Sequence, residues 1–297
     1  MPGHEDSPVR VAGPKAALVL ERLAESRRRS LVLSEDLPWL TEITTDPYSL
    51  LDHMEQAQLL YRVKSGRYLV APRGSFSPTQ AAPVELMAGL LLGSQGDYYF
   101  SFLSGLISHR LTDLHSPTVY AAIRQQSNLR ATELELPGGS LHVVRLSESR
   151  WPHYERELER VRAVPDSKEF VWQATVERTL VDALARPDLS AGIETVIESW
   201  ARAKRQEVDW ELVCSIAARQ ANGMPRRVAF VLGLLGLKAV ARQNFPTLSG
   251  RGANTPLDRS NSFEINAEET TRDRETGILV NVPEGHLLGW IGAADQP

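Results

Sequence analysis

Side chains able to do chemistry are scattered through this 297-residue sequence rather than gathered. The segment "GSQGD", Gly93 to Asp97, could set the Ser94 hydroxyl on a tight turn against a phosphate. Phosphoryl chemistry of that kind also needs two neighbouring carboxylates to hold a divalent metal. The next acid after Asp97 is Asp113, with no Asp-x-Asp near it, so a helix-ending turn is the expected role. Histidines stand at 4, 53, 109, 115, 142, 153 and 286, and none has the i, i+4 spacing of a helical metal site. His109 and His115 straddle an expected helix end and read as ordinary polar residues. "ERTLVDAL", Glu177 to Leu184, puts Arg178 and Asp182 four apart on a helix, a spacing that braces helices more often than it catalyses. No GxSxG, HExxH, Walker or dinucleotide motif is present, so no catalytic residue, cofactor or metal is expected.

Composition narrows the classes further. The net charge is -4, 24% of residues are charged and 42% are hydrophobic, which fits neither a basic nucleic-acid coat nor an acidic disordered tail. A chain of this length has room for two domains with real cores. The lone Cys214, on the apolar stripe of an expected helix, excludes an internal disulfide and reads as a buried inert thiol. "MPGHEDSPVRVAG" has two acids and no apolar run, so it reads as a flexible tail over 1–13 and not as a signal peptide. The most apolar stretch, "VELMAGLLLGSQGD", becomes polar at Ser94, far short of the ~20 residues a membrane span needs. A cytoplasmic protein without membrane contact is the expectation.

The elements that would position a binding surface come early. Pro14 can open a helix with Ala16, Leu20, Leu23 and Ala24 on one stripe, ending near Arg27, Arg28 and Arg29. Ser34 can cap a short second helix crowded by Pro38. In "TDPYSLLDHMEQAQ", Asp46 is an N-cap and Pro47 the first helical residue; Leu50, Leu51, Met54 and Ala57 line one face, leaving Tyr48, Ser49, Asp52, His53 and Gln56 outward. "YRVKSGRYLVAPR" then reads as a hairpin around Ser65-Gly66, with Val63 opposite Tyr68 and Tyr61 opposite Val70, and Arg62, Lys64, Arg67 and Leu69 sharing the other face.

Three helices followed by a two-stranded ribbon is the order of a winged helix-turn-helix, expected over 14–75. Residues 1–84 hold ten bases and ten acids, yet from Gln56 to Val84 there are four bases and no acid. Like charges opposite one another across a turn repel, and a nearby phosphate would relieve that repulsion. The candidate DNA-binding residues are therefore Arg27, Arg28, Arg29, Tyr48, Ser49, His53, Arg62, Lys64, Arg67 and Arg73. A solvated basic edge hairpin is the alternative.

A Pro/Gly/Ser-rich stretch, "APRGSFSPTQAAP", separates this module from a larger mixed α+β domain with a helical core, expected over 76–297. Helices are expected in "VELMAGLLL" and "YYFSFLSGLISHRL", strands in "ATELELPGGSLHVVRL" and "KEFVWQA", then helices at 176–186, 191–205, 209–221 and 225–235, and strands in "NSFEINAE" and "GILVNVP". The overall fold class is α+β.

"YYFSFLSGLISHRLTD", Tyr98 to Asp113, together with "TVERTLVDALARPDLSAGIETVIE" and the turn "SGRYLV", is similar to the AbiEi antitoxins of type IV toxin-antitoxin systems. The resemblance runs from about Thr45 onward, with "SAGIE" standing where that family has a Gly-Gly. It implies a winged helix that binds double-stranded DNA at inverted repeats in its own operon promoter and represses it. It also implies a second domain that counteracts a cognate nucleotidyltransferase toxin, with or without direct binding. A nucleotidyltransferase-like or other nucleic-acid-modifying enzyme using Ser94 and Asp97 is the alternative.

Overall fold

Gly13 and Pro14 start the first helix, α1 (Pro14–Glu25), in a computed structural model that describes residues 13–71, 79, 82–93, 97–220, 223–248, 255–258 and 270–294. Ala16, Val19 and Leu23 are its buried stripe, with Leu20 half-buried and Ala24 exposed, so the stripe is turned slightly from the one expected. Arg27 ends α1 in the left-handed conformation at φ 54°; its N–H donates to Ala24 and that of Arg28 to Leu23, the Schellman pattern.

Strand β1 (Ser30–Val32) follows, then α2 (Leu33–Ile43), longer than the short helix expected. Ser34 does not cap it; Val32 is the N-cap and no side chain accepts from the first turn. Helix α3 (Pro47–Gln56) starts as expected, the Asp46 carboxylate accepting the Ser49 N–H at 3.1 Å. Strands β2 (Leu60–Lys64) and β3 (Arg67–Val70) form the hairpin, and with β1 they make an antiparallel sheet in the order β1-β3-β2.

The hairpin register differs from the expected one. Lys64 does face Arg67, but a bulge between Arg62 and Lys64 shifts the rest, so Arg62 faces Tyr68, Tyr61 faces Leu69 and Leu60 faces Val70. An extra residue on one strand moves every later partner by one and inverts its face. Tyr68, Val70 and Leu60 thus pack with Leu23, Leu40, Leu51 and Met54 of the helices, while Leu69 packs with Leu86, Met87 and Leu90 of α4 (Val84–Leu92). The first compact unit includes α4. It comprises Met1–Ser94 with Glu135–Ser140 and Arg160–Val171.

The second unit comprises Gln95–Leu134, Leu141–Glu159 and Trp172–Pro297. In chain order its part of the sequence gives β4 (Tyr98–Phe100), α5 (Leu103–Ser108), β5 (Thr118–Arg124), β6 (Glu133–Leu136), β7 (Gly139–Leu146), α6 (Tyr154–Glu157), β8 (Leu158–Arg162) and β9 (Phe170–Ala174). The six strands form one sheet, β6-β7-β5-β4-β9-β8, some ends of which fall in segments counted with the first unit. "YYFSFLSGLISHRL" was expected to be helical throughout; its first three residues are instead a fully buried strand. A continuous apolar run has no period to tell strand from helix.

Helices α7 (Val176–Ala185), α8 (Gly192–Ala203), α9 (Trp210–Ala218), α10 (Met224–Leu234) and α11 (Lys238–Asn244) follow, then β10 (Thr255–Pro256), β11 (Thr271–Arg272), β12 (Ile278–Val280) and α12 (Glu284–Ala294). Every α7 residue from Arg178 to Ala185 is buried, and Trp200 of α8 donates its indole N–H to the Leu180 carbonyl at 3.2 Å. This is the expected helical core of an α+β chain. The segment "NSFEINAE" lies outside the described residues.

Candidate nucleic-acid interface

The α3 helix turns Pro47, Leu51 and Met54 inward because they recur every three or four residues, and the same period puts Tyr48, Ser49, Asp52, His53 and Gln56 in solvent. Tyr48 is 61% exposed, an unusually wet position for an aromatic ring. Two acids on this helix would repel a polyanion, but Arg62 of β2 reaches both. Its Nη2 lies 2.5 Å from the Asp52 carboxylate and its Nε 2.8 Å from that of Glu55, with the guanidinium 5.4 Å from the centre of the Tyr68 ring. The hydrogen bonds that Arg62 donates to Asp52 and then to Glu55 raise the guanidinium pKa above its ordinary value. The bulge that turns Arg62 toward α3 makes this pairing possible.

The cations at the hairpin tip have a partner within the chain. Arg67 donates to the Leu90 carbonyl at 2.9 Å and the Lys64 ammonium to that of Leu91 at 3.4 Å, both in the last turn of α4. The final carbonyls of a helix have no internal donors and carry the negative end of its dipole. Two like charges opposite one another are therefore drawn to one negative pole. This answers the repulsion without a phosphate at Arg67, whereas Lys64 stays exposed. Arg62, expected on the same face as Lys64 and Arg67, is separated from them by the bulge.

The three arginines after α1 also part company. Arg28 binds Asp36 through both guanidinium ends, at 2.6 and 2.9 Å; Asp36, 2% exposed, further accepts the Val32 N–H and the Trp39 indole N–H. Burial opposes the charge on Arg28, but the hydrogen bonds and charge of Asp36, with the charges of Glu169 and Glu35, together outweigh it and raise the pKa. At Arg29 burial prevails and lowers the pKa, with Glu169 opposing. The buried Glu169 carboxylate takes the N–H groups of Arg29 and Ser30 at 2.6 and 2.7 Å and the Ser30 hydroxyl at 2.9 Å. Arg27 is exposed. Arg73 and Ser94 lie outside the described residues.

The sites weighed for catalysis come apart differently. His115 is exposed, while His109 points its Nε2 at the Ala174 carbonyl, 2.8 Å away. Among the described residues no group of three His, Cys, Asp or Glu side chains could hold a metal. Arg178 and Asp182 do pair, at 3.0 Å, but inside the core rather than on a surface. Arg178 also binds Glu157 at 3.1 Å, the Tyr99 hydroxyl at 2.9 Å and the Arg150 carbonyl; Arg219 binds the other oxygen of Glu157, and Tyr99 and Ser101 donate to Asp182. Burial would lower the Arg178 pKa, and Asp182, Tyr99 and Glu157 together raise it instead. Two arginines against two carboxylates balance, which is how a buried charge cluster is tolerated.

These features define a mixed α+β chain of two units, the first a helical module closed by a small antiparallel sheet. No protein-family model matches the chain, and no curated protein does. Among solved structures it is similar to the crystal structure of RV2827C protein from Mycobacterium tuberculosis, with a TM-score of 0.66 at 15% identity over 96% of this chain and 97% of that one. At that identity the likeness concerns the fold alone. No described helix is long and apolar enough to cross a membrane.

Proposed function

We propose that residues 14–71 are a winged helix-turn-helix that binds duplex DNA, and that the chain is a cytoplasmic repressor of its own operon and an antitoxin opposing a nucleotidyltransferase toxin. The observation that carries the DNA reading is the exposed face of α3, whose two carboxylates are both bound by Arg62 and whose Tyr48, Ser49 and His53 are exposed for contact. A helix so presented, followed by a β-hairpin, suits insertion in the major groove with the hairpin flanking it. Tyr48, Ser49 and His53 would meet bases and phosphates, and Arg27 and Lys64 phosphates alone. Arg28, Arg29 and Arg67 shape the module through the contacts described above. The antitoxin role rests on the resemblance to AbiEi proteins and requires no stable complex with the toxin.

The test is a titration of the full chain against duplex from the DNA upstream of its own gene and against a scrambled duplex of equal length, at several salt concentrations. The expected result is tighter binding to the upstream duplex, with log K falling linearly in log salt by about 0.9 for each phosphate neutralised. Equal binding to both, or none, would sink the repressor reading. Labelled nucleotide with Mg²⁺ and RNA provides the companion assay, in which transfer by the chain itself would favour an enzyme.

A further inference from the structure

The hairpin of β8 and β9 carries cations that the reading above leaves unused. Arg160 and Arg162 are two residues apart on β8, both exposed, with guanidinium carbons 4.3 and 5.8 Å from the centre of the Phe170 ring. One aromatic ring attracts both planar cations and limits their rotamers. Among the described residues no ion pair joins either of them. Lys168, exposed in the same hairpin, donates its backbone N–H to the Arg27 carbonyl at 2.9 Å, which brings a fourth exposed cation to the same turn.

The turn is fixed in place. The Ala163 N–H donates to the Glu169 carbonyl at 3.0 Å, and the Glu169 carboxylate is consumed by the Arg29 and Ser30 N–H groups and the Ser30 hydroxyl. Within Arg160–Val171 this leaves three exposed cations against one exposed acid, Asp166. All of these residues, Arg27 included, belong to the first unit with α3. Because β8 is an edge strand, arginines there could serve merely to discourage strand addition. That role does not call for Lys168 and Arg27, which lie off the strand.

We infer that Arg160, Arg162 and Lys168, beside Arg27, form a second phosphate-binding surface for duplex DNA, an inference that rests on the DNA-binding reading. A cluster of exposed cations with no ion pair to a carboxylate among the described residues complements a polyanionic backbone and carries no base preference.

The experiment titrates the full chain against a fluorescein-labelled duplex of about 40 base pairs from upstream of its gene, over a salt series. Three variants are compared: Arg160→Gln with Arg162→Gln and Lys168→Gln; Arg160→Lys with Arg162→Lys; and Tyr48→Ala with Ser49→Ala and His53→Ala. The glutamine variant is expected to flatten the slope of log K against log salt by about two to three, and the lysine variant to keep the wild-type slope. A glutamine variant with the wild-type slope, while the α3 variant binds worse, overturns this inference alone. Equal loss in the glutamine and lysine variants also overturns it, since packing on Phe170 rather than charge would then be at work. A wild-type chain that does not bind the duplex removes both this surface and the reading it rests on.

Discussion

Arg62 and Arg178 are each held by two carboxylates, and burial separates what they do. Arg178 is 1% exposed, so its removal leaves Asp182 in the core with no cation, only the Tyr99 and Ser101 hydroxyls, and Glu157 with Arg219 alone. Arg178→Met should cost about 3–5 kcal/mol in urea unfolding. Arg62 is 41% exposed on its side chain, and exposed ion pairs contribute only about 0–1 kcal/mol. Arg62→Ala should therefore leave the urea midpoint nearly unchanged yet weaken DNA binding more than the loss of one phosphate contact, because it unmasks Asp52 and Glu55. Adding Asp52→Asn and Glu55→Gln should restore much of the affinity. Cys214 is a third case: burial pushes its thiol up to about 12, so the reactive thiolate is scarce in the folded chain. Alkylation by iodoacetamide should stay slow from about pH 7 to about pH 9 and become fast on unfolding; rapid native-state labelling would contradict the burial.

Elements meet at a few close approaches whose substitution is informative. A Cβ on Gly105 of α5 would stand 2.7 Å from Thr179 on α7, so Gly105→Ala forces the two helices apart and should destabilise the chain by about 1–3 kcal/mol in urea unfolding. Replacing Lys64 and Arg67 with alanine removes the cations at the end of α4. The expected loss is about 0.3–1 kcal/mol each, diminished by salt. How much of this was legible in the sequence depended on where the partners lay. The α3 start at Asp46 and Pro47 and its outward Tyr48, Ser49 and His53 follow from local spacing, as do α7 to α10. The pairings of Arg62 with Asp52 and Glu55, and of Arg28 with Asp36, needed a register and a turn that local pattern does not give. The Glu169 anchor reaches residues 139 and 140 positions away. Strand β1 is three residues long and β4 fully apolar, so neither offers a period to read. The bulge that re-aims Arg62 leaves no mark in composition.

For the whole molecule, a net charge of -4 means that a polyanion is met by local cationic surfaces or not at all. Binding should then be strongly salt-dependent, and discrimination between sequences should rest on α3, the element with side chains free to read bases. The most direct measurement is the ratio of affinities for the upstream and scrambled duplexes, taken for the wild-type chain and for the variant with alanine at Tyr48, Ser49 and His53. A wild-type preference of at least about tenfold that collapses toward one in the variant, with the salt slope changed little, is the predicted result. A preference that survives the triple substitution, or a wild-type chain with none, would contradict the placement of α3 at the DNA.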